Sequence, residues 1–144
     1  MLRSLLLSAA TVFATVTVKD CSSSSALFSL QTLDFSPSNP LPGENGTLRM
    51  VYHASTDVTG GSVDYKCTLN GFPVLQESSD LCTATACPIL VGDHEQSGTV
   101  PTPDTKGSLA CTLTWYTTDK KELLCAKTTY LQSMLRGYSV KDEL

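Results

Sequence analysis

A chain of 144 residues with 14 acidic and 10 basic side chains carries a net charge of −4. That balance excludes the clustered basic footprint of a nucleic-acid binder and a polybasic patch for steady attachment to anionic membranes. The length fits one main domain, and six cysteines fit an oxidising compartment.

The chain opens with MLRSLLLSAATVFATVTVKDC, with Arg3, an apolar run from Leu5 to Val16, and small residues at Ala10 and Ala14. This is the pattern of a signal peptide, residues 1–18, with cleavage expected between Ala14 and Val18. The run is too short and too interrupted by Ser and Thr to span a bilayer. A short buried N-terminal strand is the alternative reading.

Leu27 to Phe35 (LFSLQTLDF) has strand length, and SPSNPLPGENG, Ser36 to Gly46, breaks it with prolines and glycines. Within that turn Asn45-Gly46-Thr47 is a glycosylation sequon, expected on the surface. In TLRMVYHAST, Leu48, Met50 and Tyr52 share one face and Arg49, Val51 and His53 the other, the period of a half-buried strand. After Gly60-Gly61, SVDYKCTLNG places Val63, Tyr65, Cys67 and Leu69 together. Asn70-Gly71 is a hairpin signal, and FPVLQESSDLC reads as the return strand.

Cys82 and Cys87, five apart, are the one pair that spacing singles out among fifteen possible pairings. Pro88 to Val91 is a short apolar stretch, and the polar DHEQSGTVPTPDTKG suggests loop, with an edge segment from Ser97 to Val100. SLACTLTWY restores the alternation, with Leu109, Cys111, Leu113 and Trp115 on one face. TTDKK turns the chain into ELLCAKTTYLQSML, a last strand with a possible final helical turn.

Six or seven short strands separated by turns predict an all-β chain folded as an antiparallel β-sandwich. The expected inward residues are Phe28, Leu30, Leu48, Met50, Tyr52, Val63, Tyr65, Leu69, Phe72, Val74, Leu109, Leu113, Trp115, Leu124 and Tyr130. Taken alone, such alternation describes an ordinary packed core. The chain then stops in KDEL, Lys141 to Leu144, the address read by the endoplasmic reticulum retrieval receptor. The expected organisation is therefore a signal peptide (1–18), a domain (19–134) and an exposed tail (135–144). The expected location is the endoplasmic reticulum lumen or the secretory pathway, with the KDEL receptor as a partner.

Residues that would carry chemistry are scarce. His53 and His94 stand in no triad or ligand spacing, and the first reads as exposed on its strand, the second as a loop residue. Ser62 and Ser108 lack the setting of a GxSxG nucleophile. Asp80, Asp93 and Glu95 read as solvated turn residues. A CxxC redox motif, a zinc-type cysteine spacing and a glycine-rich phosphate loop are not found in the sequence. The expectation is a protein without catalytic residues, metal or cofactor.

Lys19-Asp20-Cys21, SPSNPLPGENG, GGSVDYKCTLNGFPV, SDLCTATACPILVGD and Glu122 to Cys125 together resemble the ML domain. That family contains the MD-2-related lipid-recognition proteins, the Niemann-Pick type C2 sterol carrier, mite group 2 allergens and the fungal phosphatidylglycerol/phosphatidylinositol transfer proteins. The resemblance covers about Lys19 to Tyr130, and the DLC…CP…GD segment is its most specific part.

The resemblance implies an immunoglobulin-like antiparallel β-sandwich with an internal apolar cavity between the sheets, holding a phospholipid or sterol for transfer. It also implies bridges Cys82–Cys87 and Cys21–Cys125. Cys67 and Cys111 depart from the common pattern and are either a third bridge or two buried thiols. Under this reading Met50, Tyr52, Tyr65, Phe72, Val74, Ile89, Val91, Leu113 and Trp115 contact lipid, and the loops at Phe72-Pro73 and Pro88 to Val91 form the mouth. The expected partners are a lipid ligand and, transiently, a membrane; a monomer is expected. The alternative is a lumenal accessory or protein-interaction module with a filled sandwich core.

Overall fold

The computed structural model describes residues 12–102 and 107–134, so residues 1–11 and the tail with KDEL lie outside the described residues. The elements run β1 (Val12–Asp20), β2 (Phe28–Ser36), β3 (Asn45–Ala54), β4 (Gly61–Leu69), β5 (Phe72–Asp80), α1 (Leu81–Ala84), β6 (Gly92–Pro101), β7 (Gly107–Thr117) and β8 (Glu122–Met134). They form two antiparallel sheets, one of five strands ordered β1-β8-β7-β4-β5 and one of three ordered β2-β3-β6. The chain is therefore the expected all-β sandwich, with one short helix added.

Alternation sets the faces of the strands. In β3, Met50, Tyr52 and Ala54 are buried, while Arg49 and His53 point outward to their neighbours. Arg49 donates to Glu95 at 2.7 Å and to Asp34 at 3.1 Å, and His53 Nδ1 lies 2.8 Å from Asp93. These exposed pairs fix the outer face of the three-stranded sheet and add little stability individually.

The β4–β5 hairpin turns on Asn70 and Gly71, with φ of +50° and +88°. Positive φ at both central positions is the turn whose twist suits a two-residue hairpin. Asn70 also pins this tip to the start of β7, donating from its N–H to Ser108 O at 2.8 Å and accepting from Ser108 N–H at 2.9 Å.

Two segments bear on readings that the sequence leaves open. β1 runs antiparallel to β8 from Val12↔Met134 to Asp20↔Ala126, so it passes through the interval in which cleavage is expected, and Val16 is buried. β8 remains a strand to Met134, paired with β7 as far as Gln132 and with β1 to its end, so these residues form ladder pairs and not a final helical turn.

All six cysteines are bridged. Cys21–Cys125 ties the end of β1 to β8 across 104 residues, and Cys82–Cys87 closes the loop around α1. Cys67 and Cys111 are register partners on β4 and β7, with Cα atoms 4.0 Å apart, and the structure joins them as a third bridge. Asp80 starts α1 by accepting from Cys82 N–H at 2.9 Å, and Leu81 then drops fully into the core.

The core has two separate parts. The larger cluster includes Phe28, Met50, Tyr52, Val58, Val63, Leu81, Ile89, Trp115, Leu123 and Leu124. The smaller consists of Val16, Cys67, Cys111 and Tyr130, with Phe35, Tyr65, Val100 and Leu109 packed against it.

Candidate functional site: a cavity between the sheets

A cavity of about 340 Å³ lies between the two sheets and takes its walls from both core clusters. The five-stranded sheet supplies Val63 and Tyr65 from β4, Cys111, Leu113 and Trp115 from β7, and Ala126, Thr128 and Tyr130 from β8. The three-stranded sheet supplies Leu48 and Met50 from β3 and Gln96 to Val100 from β6, and α1 adds Ala84. The volume lies at the lower end of the range for small-molecule sites, about 300–1,000 Å³.

Register explains why these residues meet. Tyr65 pairs with Leu113 and Leu113 with Ala126, while Cys67 pairs with Cys111 and Cys111 with Thr128. Directly opposed residues share a face, so each such row runs across the wall. On the other sheet Met50 pairs with Gln96 and Leu48 with Gly98.

β6 is the exception to alternation. It contributes five consecutive residues, Gln96 to Val100, to the lining, whereas a strand showing only one face would contribute every second one. Because β6 is the outermost strand of its sheet, the cavity reaches around its free edge and opens there. A hydrogen bond from Gln96 Nε2 to Ala84 O, 2.9 Å, ties this edge to the loop closed by Cys82–Cys87.

None of the sixteen lining residues is acidic, lysine, arginine or histidine. Burial pushes the Tyr65 and Tyr130 hydroxyls above the ordinary tyrosine range, aided at Tyr65 by the negative charge of Glu77 and at Tyr130 by Tyr65. Both hydroxyls thus stay neutral in a wall without fixed charge. Such a surface holds a ligand by removing apolar area from water, at about 0.8 kcal/mol for each buried CH₂, and offers little to orient a reaction.

Of the nine residues expected to contact lipid, Met50, Tyr65, Leu113 and Trp115 line the cavity. Tyr52 and Ile89, 1% and 2% exposed, belong to the larger packed cluster instead. Tyr52 stacks between Phe28 and the His94 ring, and Ile89 is held by reciprocal backbone hydrogen bonds with Val58, each 2.8 Å.

Phe72 and Val74 are 74% and 54% exposed, because β5 lies at the outer edge of the wider sheet and the three-stranded sheet does not cover it. Val91 is exposed in the loop before β6. The opening therefore runs along β6, and neither Phe72-Pro73 nor Pro88 to Val91 is part of the lining. His94 lies within β6 with Nε2 2.6 Å from Leu90 O, not in a loop. Asn45, in the sequon, is exposed at the start of β3.

Sequence reasoning missed several lining residues. Leu48, Val63 and Tyr130 were already readable as inward-facing. Ala84, Ala126 and Thr128 are small or polar and give no hydrophobic signal, and the stretch Gln96 to Thr99 offers only its lack of charge.

Comparison with known proteins agrees with this architecture. A family model described as the ML domain matches residues 15–131. Two Dictyostelium discoideum proteins, named "Putative phosphatidylglycerol/phosphatidylinositol transfer protein 3" and "1", are 29% and 26% identical over 77 residues. That is 52% of this chain and 51% of theirs, so the match spans about half the length of these curated relatives.

Among solved structures, a Niemann-Pick type C2 protein from Japanese carpenter ant superimposes with a TM-score of 0.62 at 16% identity, covering 81% of this chain and 98% of that one. Chicken MD-1 complexed with lipid IVa gives 0.61 at 16% identity, covering 82% and 89%. These two likenesses establish the shared fold.

Proposed function

The chain belongs to the ML domain family, and from that premise we infer that it binds a lipid between its two sheets and transfers it without catalysis. The observation that carries this reading is the uncharged cavity separating the two core clusters. A lipid tail placed there exchanges water for apolar wall, and shape and length decide which tails fit. The names of the Dictyostelium relatives and the lipid complex of MD-1 support the class of ligand. A secretory-lumen setting is part of the proposal, supported by three disulfides and by an exposed Asn45 available to a glycan.

Trp115 is the single tryptophan and lines the cavity, so it reports on the occupant. Vesicles containing lipids with brominated acyl chains should quench its emission as a chain enters, whereas headgroup-brominated lipid should not. Emission unchanged by either lipid would overturn the reading. The exposed apolar residues of β5, Phe72, Val74 and Leu75, are the feature that would suit a protein-interaction module. That module predicts the unchanged outcome.

A further inference from the structure

We propose that the outer face of the five-stranded sheet carries a second binding site, for a phosphate monoester on a small polyhydroxylated molecule such as a sugar phosphate. A depression of about 310 Å³ lies on that face, lined from β4, β7 and β8, with Lys66 and Lys127 on either side of Thr112. The lining positions alternate along β4 and β7, and the residues between and beside them, Tyr65, Leu113 and Ala126 among them, line the lipid cavity. The two sites therefore lie on opposite faces of one sheet and share no residue.

Register brings the cations together. Lys66 pairs with Thr112, Thr112 with Lys127, and Lys127 with Lys19 of β1, so three lysines stand in one row across the outer face. The described basic residues are Lys19, Arg49, Lys66, Lys120, Lys121 and Lys127, and half of them fall in this row. Like charges directly opposed on paired strands, as at Lys19 and Lys127, are destabilising, and a nearby anion relieves that cost. With strands about 4.8 Å apart, Lys66 and Lys127 flank Thr112 across roughly 10 Å between Cα atoms. Thr112 is short, so the longer lysine side chains wall a hollow above it, and both ammonium groups can donate to one phosphate resting on the Thr112 hydroxyl. A phosphate monoester carries a charge of about −1.5 to −2 at neutral pH, which two or three lysines match. Along β7 the hydroxyls of Thr114 and Tyr116 follow on the same face. Asp64 opposes Thr114, its carboxylate held by a hydrogen bond from Ser78 Oγ at 2.8 Å. These groups suit the hydroxyls of a polyol, with the carboxylate as an acceptor. That carboxylate beside the lysines disfavours an extended anionic surface, and a hollow admits a small soluble ligand better than it meets a membrane.

Titrating glucose 6-phosphate into isotope-labelled protein should shift the amide resonances of Thr112, Thr114 and Lys127 to saturation, and glucose at the same concentrations should not. Lys127→Gln should weaken the binding about tenfold, the scale of one hydrogen bond to a charged group. Lys121→Gln, in the β7–β8 turn and outside the row, should leave it unchanged. Lys127→Gln should also keep or gain stability in urea, because it removes the opposition to Lys19, so its loss of binding would not come from a damaged fold. Amides unmoved by glucose 6-phosphate would overturn the proposal, as would binding that Lys127→Gln leaves intact or that Lys121→Gln weakens equally. Sedimentation of the protein with phosphatidic acid vesicles, while glucose 6-phosphate leaves these amides unmoved, would overturn it too, since the lysine row would then be a membrane-docking surface.

Discussion

Along the same strands, the interior is solid where β3 passes Tyr52 and Ala54 and hollow where it passes Leu48 and Met50. At the solid end Tyr52 stacks on Phe28 with ring centroids 5.2 Å apart and meets Trp115 edge-on at 5.5 Å. Leu81 and Ile89 fill the remaining space from the loop held by Cys82–Cys87. Toward the hollow end the facing positions are Ala126, Thr128 and Gly98, which are small, and the edge-on pair of Phe35 and Tyr130, 5.7 Å apart, props the sheets beyond them. Gly46 makes that prop possible, since a Cβ there would collide with the Phe35 ring. Bulk at both ends with small residues between is how a close-packed interior keeps a gap without collapsing.

The largest expected effect tests the frame common to both ends. Replacing Cys21 and Cys125 by serine frees a loop of 104 residues and should cost about 4–5 kcal/mol on the loop-entropy relation. The same change at Cys82 and Cys87, five residues apart, should cost only about 2 kcal/mol. Urea denaturation of the two variants checks the order. If the short bridge costs as much as the long one, it is holding the solid end together through native packing and not merely closing a small loop.

A smaller effect separates the ends directly. Leu124 is fully buried in the larger cluster, while Leu113 faces the cavity. Truncating Leu124 to alanine opens a void among close neighbours and should cost about 3–4 kcal/mol, toward the upper part of the range for buried leucine. Leu113→Ala removes a side chain that already borders empty space, so about 1–2 kcal/mol is expected. The order should invert for lipid uptake, which Leu113→Ala weakens and Leu124→Ala leaves intact. Equal destabilisation at both positions would mean that the hollow end is packed in solution.

The strands and their faces were legible in the sequence because alternation reports which side of a strand meets the core. Cys67 and Cys111 could be placed on apolar faces of possibly neighbouring strands for the same reason. Alternation does not report how far the opposite sheet extends. Phe72 and Val74 read as inward residues, yet three strands cannot cover five, and β5 is left outside. Nor does it reveal where bulk is missing. The cavity is made by Gly98, Ala126 and Thr128 as much as by Met50 and Trp115, and a search for apolar residues finds only the second kind. Tyr52 and Ile89 stand outside the cavity lining for the complementary reason, since neighbours from β2, β6 and the α1 loop close over them.

Gly98 offers the smallest expected change in stability and the sharpest test of where cargo lies. It pairs with Leu48, which lines the cavity, so a side chain at 98 would point inward. A Cβ built there meets nothing within 4 Å, and no positive φ opposes a larger residue. Gly98→Phe should therefore raise stability by up to about 1 kcal/mol, because the unfolded chain loses glycine's freedom and the ring gains a partly apolar setting. The ring would occupy the space assigned to the lipid tail, so uptake and Trp115 quenching should disappear from a protein that is slightly more stable. Gain of stability with loss of binding is the signature of a filled site, since a damaged fold would lose both. If quenching persists in a stable Gly98→Phe protein, the tail enters past another edge and β6 is a wall, not the mouth.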